Sequence, residues 1–377
     1  MRYATIEPFV GLSTEGEDLV GRHRFSLNAH VSLDGKRFAG DFGYGYYGLG
    51  NPVLGFSAGQ SHDASSSTIS LTDFFLIERE RWATLSASFR RNRYRNATAF
   101  SLSGSVVREN LSLQDLQGDP GPSERLPDHF RESTSTQLRA TVSASTAQQR
   151  AFSVSREDGV SGWVSARTRR MAGLDSLRDE LGHDRSFNEL TGEVAGYKGF
   201  RAAGFANHVL AFRFSAGKGY GPGAHQGHFD IGGAEGTPEA LTGYGLFGGS
   251  ARLFPLRGYP ENARFGQVAW TASAEYRFPV MLIDRGLGPL PLFFDRFHGS
   301  VFFDAGNAWG PEQEQEGYHN PKQDMLMSVG AEVSLIVAPV YQSGLTLRFG
   351  AGFPLVEDPG AGVGSEPVYY VRLGNAF

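Results

Sequence analysis

Residues 266–278 read Gly-Gln-Val-Ala-Trp-Thr-Ala-Ser-Ala-Glu-Tyr-Arg-Phe, and their alternation decides the fold. Successive side chains of an extended chain point to opposite sides. Val268, Trp270, Ala272, Ala274, Tyr276 and Phe278 therefore share one face, and Thr271, Ser273, Glu275 and Arg277 share the other. The same period recurs along the chain. Phe25, Leu27, Ala29, Val31 and Leu33 oppose Ser26, Asn28, His30 and Ser32. Phe38, Phe42, Tyr44 and Tyr46 share a face, as do Leu210, Phe212 and Phe214 opposite Arg213 and Ser215. Met327, Val329, Ala331, Val333, Leu335 and Val337 oppose Ser328, Gly330, Glu332 and Ser334; Leu345, Leu347, Phe349, Ala351 and Phe353 oppose Thr346, Arg348 and Gly350.

Two architectures use such strands. A soluble sandwich turns the apolar faces inward against a second sheet; a membrane barrel turns them outward to lipid around a polar lumen. Three features favour the barrel. The segments often reach ten residues or more, as a tilted strand needs to cross a bilayer. The polar faces hold small or charged residues, and the apolar faces carry little charge. Aromatics recur near segment ends (Tyr44, Tyr46, Tyr47, Trp82, Tyr94, Trp309, Tyr341, Tyr369, Tyr370), where interfacial girdles lie. The mean hydropathy of −0.29 is compatible, because half of each spanning strand faces water.

The pattern predicts an all-β, transmembrane antiparallel β-barrel of about sixteen strands, an even number as in closed bacterial barrels. They are 3–13, 20–33, 36–48, 52–62, 67–78, 81–93, 96–109, 135–146, 158–169, 188–201, 207–218, 264–279, 297–308, 325–338, 343–354 and 366–377. Residues 110–133, 171–187 and 219–262 read as long connections, alternating with short turns such as 33–36. A single domain takes up 1–377, with the Gly-rich stretch 219–262 as a long loop between strands eleven and twelve; loops of that length are functional or disordered.

Composition agrees. Fifty glycines among 377 residues argue against a helical protein, because glycine is costly in helix interiors. Glycine together with 29 Phe, 14 Tyr and 4 Trp suits a β protein with many tight turns. A net charge of −5 without a basic stripe gives no nucleic-acid footprint. The lack of cysteine excludes disulfides and Cys-ligated zinc. No apolar run approaches the ~20 residues of a spanning helix. Residues 1–7 have no apolar region after the positive charge, so they are no signal peptide, and an exported protein would have lost its leader.

Motifs for chemistry fail on context. Gly55-Phe56-Ser57-Ala58-Gly59 matches a nucleophile elbow, but no helix follows it. Gly217-Lys218-Gly219-Tyr220-Gly221-Pro222-Gly223 lacks the Lys-Ser/Thr and helix of a phosphate loop. The ten histidines form no metal-ligand spacing. No enzyme activity, cofactor or metal is expected.

One constellation stands out. Arg257 lies in Leu256-Arg257-Gly258-Tyr259-Pro260-Glu261-Asn262, at the end of the long loop. Glu275 lies in the next strand and Asp304 in the one after, and parity points both carboxylates to the polar face. An arginine on a loop folded into the lumen could pair with both, in the two-pronged geometry guanidinium favours. Taken alone, the pattern also fits three unrelated charges.

The stretches LRGYPEN (256–262), AEYRFP (274–279), FFDAGNAW (302–309) and the terminal VYYVRLGNAF (368–377), in this order and spacing, resemble the barrel domain of the BamA-type outer-membrane superfamily, the bacterial surface antigen domain. The resemblance is specific over about 250–377 and pattern-level before that. Residues 16–56 resemble, more faintly, barrels of the superfamily fused behind periplasmic propellers. It implies a sixteen-stranded barrel in the Gram-negative outer membrane whose sixth external loop folds inward. Arg257, Gly258 and Tyr259 match the tip of that loop, and Glu275 and Asp304 match the acids that hold it. Tyr369, Val371, Leu373 and Phe377 match a C-terminal assembly signal; Asn375 departs from it.

The implied function is assistance in inserting or transporting proteins at the outer membrane. The alternative is a barrel that anchors or scaffolds a fused or separate partner, without insertase activity; a passive pore ranks behind both. Implied partners are outer-membrane lipids and lipopolysaccharide, client or partner proteins, and periplasmic accessory subunits or a missing N-terminal domain, since no POTRA repeats precede the barrel here. Weak pairing between strands 3–13 and 366–377, which Pro8 and Pro367 would promote, offers a seam for a client strand.

Overall fold

A computed structural model describes residues 9–33, 37–69, 72–114, 132–172, 186–221, 229–234, 254–290, 292–310, 325–340, 343–358 and 364–374. Among them, fifteen strands form one antiparallel sheet in which each pairs with its neighbour in the chain. The first half comprises β1 (Phe9–Glu17), β2 (His23–Ser32), β3 (Phe38–Tyr46), β4 (Val53–Ile69), β5 (Thr72–Asn92), β6 (Ala97–Gln114) and β7 (Glu132–Ser145). It continues through β8 (Asp158–Ala172), β9 (Phe187–Phe200) and β10 (His208–Tyr220). A separate two-stranded hairpin, β11 (Phe229–Ile231) with β12 (Arg264–Gly266), follows. The main sheet resumes with β13 (Val268–Gly286), which pairs β10, and ends with β14 (Phe293–Trp309), β15 (Leu326–Val340), β16 (Ser343–Pro354) and β17 (Val368–Leu373).

The sheet is inside out. Along β10, Val209, Ala211, Arg213 and Ser215 are buried, whereas Leu210 and Phe212 are 50% and 65% exposed. Thr271, Ser273, Glu275 and Arg277 are buried on β13, as are Ser328, Glu332 and Ser334 on β15. Phe303, Val329, Val333, Phe349 and Phe353 face outward. Buried charges on one face and exposed phenylalanines on the other exclude the soluble-sandwich reading, which requires the opposite.

The strand count differs from the expected sixteen. Segments 52–62, 67–78 and 81–93 are two long strands, β4 and β5, paired without a break from Val53↔Ser88 to Ile69↔Thr72. Glu78 to Arg81, around the expected break between 67–78 and 81–93, lie opposite Asp63 to Gln60 within that ladder. Polar side chains on both faces erase the alternation but leave the backbone hydrogen bonds intact. The first strand begins at Phe9, and residues 3–8 of the expected segment lie outside the described residues.

Two further expectations change with the count. Fourteen antiparallel steps separate β1 from β17, so the two run in the same direction and cannot make an antiparallel ladder. They are not paired among the described residues, and the described sheet is open. The long connection joins the tenth and eleventh sheet strands, β10 and β13, rather than the eleventh and twelfth. At that end also lie the connections 115–131, 173–186, 310–325 and 355–367. Shorter ones such as 93–96, 201–207 and 287–292 occupy the other end. Residues 33–36, expected among the short-end turns, lie in the connection from β2 to β3 at the long-loop end.

Candidate functional site

The chain returns from the long connection over Phe254–Gly266, against the buried face of the sheet. Gly233 pairs with Leu256, and β11 with β12, so the returning segment carries its own backbone ladder. Phe229, Ile231, Phe254, Leu256 and Tyr259 form an apolar cluster with Ala269, Ala308 and Leu326 of the sheet. Phe229 and Phe254 meet edge to face at 5.3 Å. Each large side chain buried here contributes about 1.5–3 kcal/mol. That cluster presents the next residue, Arg257, to the polar wall.

Arg257 is fully engaged. Its Nε donates to Oδ2 of Asp304 and its Nη2 to Oδ1, both at 2.7 Å, a two-pronged pair. Nη1 donates to Oε1 of Glu275 at 2.5 Å, and Nη2 also reaches Oγ of Ser273 at 2.8 Å. The backbone N–H of Arg257 donates to Oδ2 of Asp304 at 3.2 Å, and its carbonyl accepts from the Ser328 hydroxyl. The guanidinium carbon lies 3.6 Å from the centroid of the Phe302 ring. Register explains the cradle. Ser273 is directly opposite Asp304 and Glu275 directly opposite Phe302, and all four point to the buried face.

Charge balances at the site. Arg277 donates from Nε to Oε2 of Glu275 at 2.7 Å, so two carboxylates meet two guanidiniums. Burial alone would lower the pKa of Arg257. Asp304 and Glu275 more than offset it, and hold that pKa well above the ordinary arginine value.

The residues after Arg257 continue the attachment. Gly258 has φ +91°, and a Cβ there would approach Ser328 Cβ to 2.9 Å. A Cβ on Gly352 of β16 would meet Gly258 Cα at 2.6 Å, so the two glycines let backbone lie on backbone. The Tyr259 hydroxyl lies 2.8 Å from the carbonyl oxygens of both Met327 and Val356, and accepts the Met327 N–H at 3.3 Å. Burial pushes its phenol up. Glu261 accepts from Arg372 of β17 at 2.8 Å. Arg264 donates to Asp358 at 2.7 Å and to Asn307 at 2.9 Å. Residues 257–264 thus touch β13, β14, β15, β16 and β17.

Sequence reasoning did not single out the neighbouring cluster. Arg348 makes a two-pronged pair with Glu332 at 2.7 and 2.8 Å, and Tyr370 donates to the same carboxylate at 2.9 Å. Tyr370 stands opposite Gly350, where a Cβ would meet its ring at 2.3 Å. Gly330 stands opposite Phe302, and a Cβ there would meet that ring at 2.3 Å. Glycines in the wall therefore make room for rings crossing from the next strand. The alternation did place Glu332, Arg348 and Gly330 on the polar face; only the register shows which of them meet.

Of the expected C-terminal residues, Tyr369 and Val371 face outward and are exposed, and Leu373 ends β17 opposite Leu347. Phe377 lies outside the described residues, as does Pro8, while Pro367 immediately precedes β17. The Gly55–Gly59 stretch lies within β4, with Ser57 opposite Thr84, and carries no elbow.

A family model described as the Omp85 superfamily domain matches residues 46–355. No curated protein matches the chain by sequence. Among solved structures, BamA from Haemophilus ducreyi lacking POTRA domains 1–3 is similar with a TM-score of 0.59 at 13% identity. The match covers 99% of this chain and 69% of that one. CdiB from Acinetobacter baumannii is similar with a TM-score of 0.56 at 12% identity, over 99% of this chain and 57% of that one. At such identities the structures speak to the fold. The family match spans most of the sequence, and the chain belongs to the Omp85 superfamily.

Proposed function

We propose that this member of the Omp85 superfamily is an outer-membrane barrel that assists the insertion or transport of proteins. The observation that carries the reading is the pinning of Arg257 to Glu275 and Asp304 on the buried face of an inside-out sheet. A face of exposed Phe, Leu and Val side chains is stable only against hydrocarbon. Each such side chain left in water forgoes about 1.5–3 kcal/mol of burial. The polar face then lines a lumen, and the segment ending in Arg257, Gly258 and Tyr259 is a clasp that braces strands β13 to β17 and occludes it.

One domain takes up residues 1–377 in this reading. A sixteenth strand between β1 and β17 would close the barrel, because those two run the same way. β17 contributes only six residues to its ladder and, among the described residues, pairs on one side alone, which makes its other edge the place where a client strand can add. Tyr369, Val371, Leu373 and Phe377 act as the assembly signal. Partners are client proteins, accessory subunits or a further N-terminal domain, and the lipids and lipopolysaccharide of the outer membrane.

Depletion in the native host tests the function. Loss of many outer-membrane proteins is the expected result. Loss of a single partner would instead identify a barrel that anchors or scaffolds that partner.

A further inference from the structure

The buried face is also covered from the end opposite the clasp, by the connection between β7 and β8. Residues 146–157 are the longest connection at the short-turn end. They start as a continuation of the hairpin. The Gln148 N–H donates to the Asp158 carbonyl and the Glu157 N–H to the Gln148 carbonyl, both at 2.8 Å. The chain then folds against the sheet. Val154 is 4% exposed and clusters with Ala195 and Tyr197 of β9 and Val209 and Ala211 of β10. Phe205 and Ala206 of the next short connection pack on that cluster. The Ser153 carbonyl accepts from Nη1 of Arg296, on β14, at 2.8 Å. The segment therefore reaches from β8 past β9, β10 and β13.

Glu157 latches it. This residue is 3% exposed. Its carboxylate accepts from the Ser153 hydroxyl at 2.6 Å, from Nη1 of Arg150 at 2.7 Å and from Nδ2 of Asn207 at 3.2 Å. A carboxylate leaves water only where donors replace its hydration. Here they come from the segment itself and from the 201–207 connection. A turn that merely linked two strands would keep such a side chain in water. Register sets this seat beside the clasp, with Ala211 opposite Glu275 and Val209 opposite Arg277. The two segments are nevertheless held by different partners. Arg257 is held by Glu275 and Asp304, and the β7–β8 segment by Asn207 and Arg296.

We infer that residues 146–157 are a second closure of the lumen, latched by Glu157 and Arg296 independently of the Arg257 clasp, so that a passage opens only when both segments are released. The inference rests on the reading of the buried face as a lumen. Ion conductance in planar bilayers tests it, with variants that keep the folded band in semi-native electrophoresis. Gly232 and Ala263 lie side by side, since a Cβ on Gly232 would come within 3.2 Å of the Ala263 nitrogen, so 233–262 can be excised by joining them. The parent, the excised chain and the Glu157→Ala/Arg296→Ala variant are each expected to be silent, and the combination to conduct. An excised chain that conducts as the combination does overturns the second closure, as does a silent combination.

A second measurement needs no membrane. The chain has no cysteine, so one introduced thiol reports on the seat in detergent. Val154→Cys should react with maleimide at least tenfold more slowly than Phe152→Cys, whose native side chain is 59% exposed. Adding Glu157→Ala should remove that difference. Equal rates in the otherwise unaltered chain overturn the seat and the closure with it. A chain that protects Val154→Cys but never enters the bilayer overturns the lumen reading instead, which tells the two failures apart.

Discussion

Ser273 and Asp304 stand directly opposite one another across β13 and β14, and the Ser273 hydroxyl donates to Oδ1 of Asp304 at 2.6 Å. That bond holds the carboxylate in place where Arg257 meets both of its oxygens. The wall is thus set to receive the guanidinium before the loop arrives, and the ordering entropy of docking falls mainly on the loop.

Removing the arginine should therefore expose the cost of the wall. Arg257→Ala leaves Glu275 buried against Arg277 and Asp304 buried with its bond from the Ser273 hydroxyl. Breaking a buried pair in this way costs about 3–5 kcal/mol. The expected outcome is a lower temperature for loss of the folded band in semi-native electrophoresis, with new protease cleavage in 219–262. Arg257→Lys should fall between, since one ammonium cannot reproduce the fork. A variant as resistant as the parent would end the clasp proposal.

Phe302 and Gly330 test the floor of the same site. The ring lies beneath Arg257 and fills the space above Gly330, where a Cβ would also come within 2.2 Å of the Ala351 carbonyl oxygen. Gly330→Val must shift backbone as well as ring, and overpacking of this kind costs about 1–3 kcal/mol. Tryptic cleavage of the loop should rise even though every charge is still present. Unchanged cleavage would show that the loop does not depend on the ring.

The sequence showed some of this directly and hid the rest for physical reasons. Strand period alone separated Phe212 from Arg213 and put Glu275 and Asp304 on one face. It could not show that Ser273 meets Asp304, or that Tyr370 crosses Gly350 to reach Glu332, because register depends on turns that leave no period. β4 and β5 were misdivided because Glu78-Arg79-Glu80-Arg81 is polar on both faces, and alternation is visible only where the two faces meet different media. The small hairpin β11–β12 was missed because three-residue strands show no period at all.

Gly258 separates conformation from charge. Its φ of +91° is strained for any other residue, and a Cβ would press on Ser328 and on Gly352 of β16. Gly258→Ala should cost about 1–3 kcal/mol and release the tip while Arg257, Glu275 and Asp304 remain. Loop cleavage like that of Arg257→Ala is expected. If Gly258→Ala behaves as the parent does, the tip backbone is not seated on β16.

The last prediction concerns the edge of the sheet. Glu261 and Arg372 are the described salt bridge between the returning segment and β17. Glu261 is half-exposed, so the pair is screened and contributes about 0–1 kcal/mol to global stability. Its local effect should be larger, because β17 is short and has a described ladder on one side only, to β16. Arg372→Ala should leave the melting of the whole chain nearly unchanged and speed amide exchange in 368–373, with 270–306 unaffected. Glu261→Ala should do the same, and the double variant should add nothing further, since both changes remove one contact. Exchange that rises equally in β13 and β14 would mean that the pair steadies the sheet as a whole. Exchange confined to β17 would mean that the clasp controls the strand edge where a client is proposed to pair.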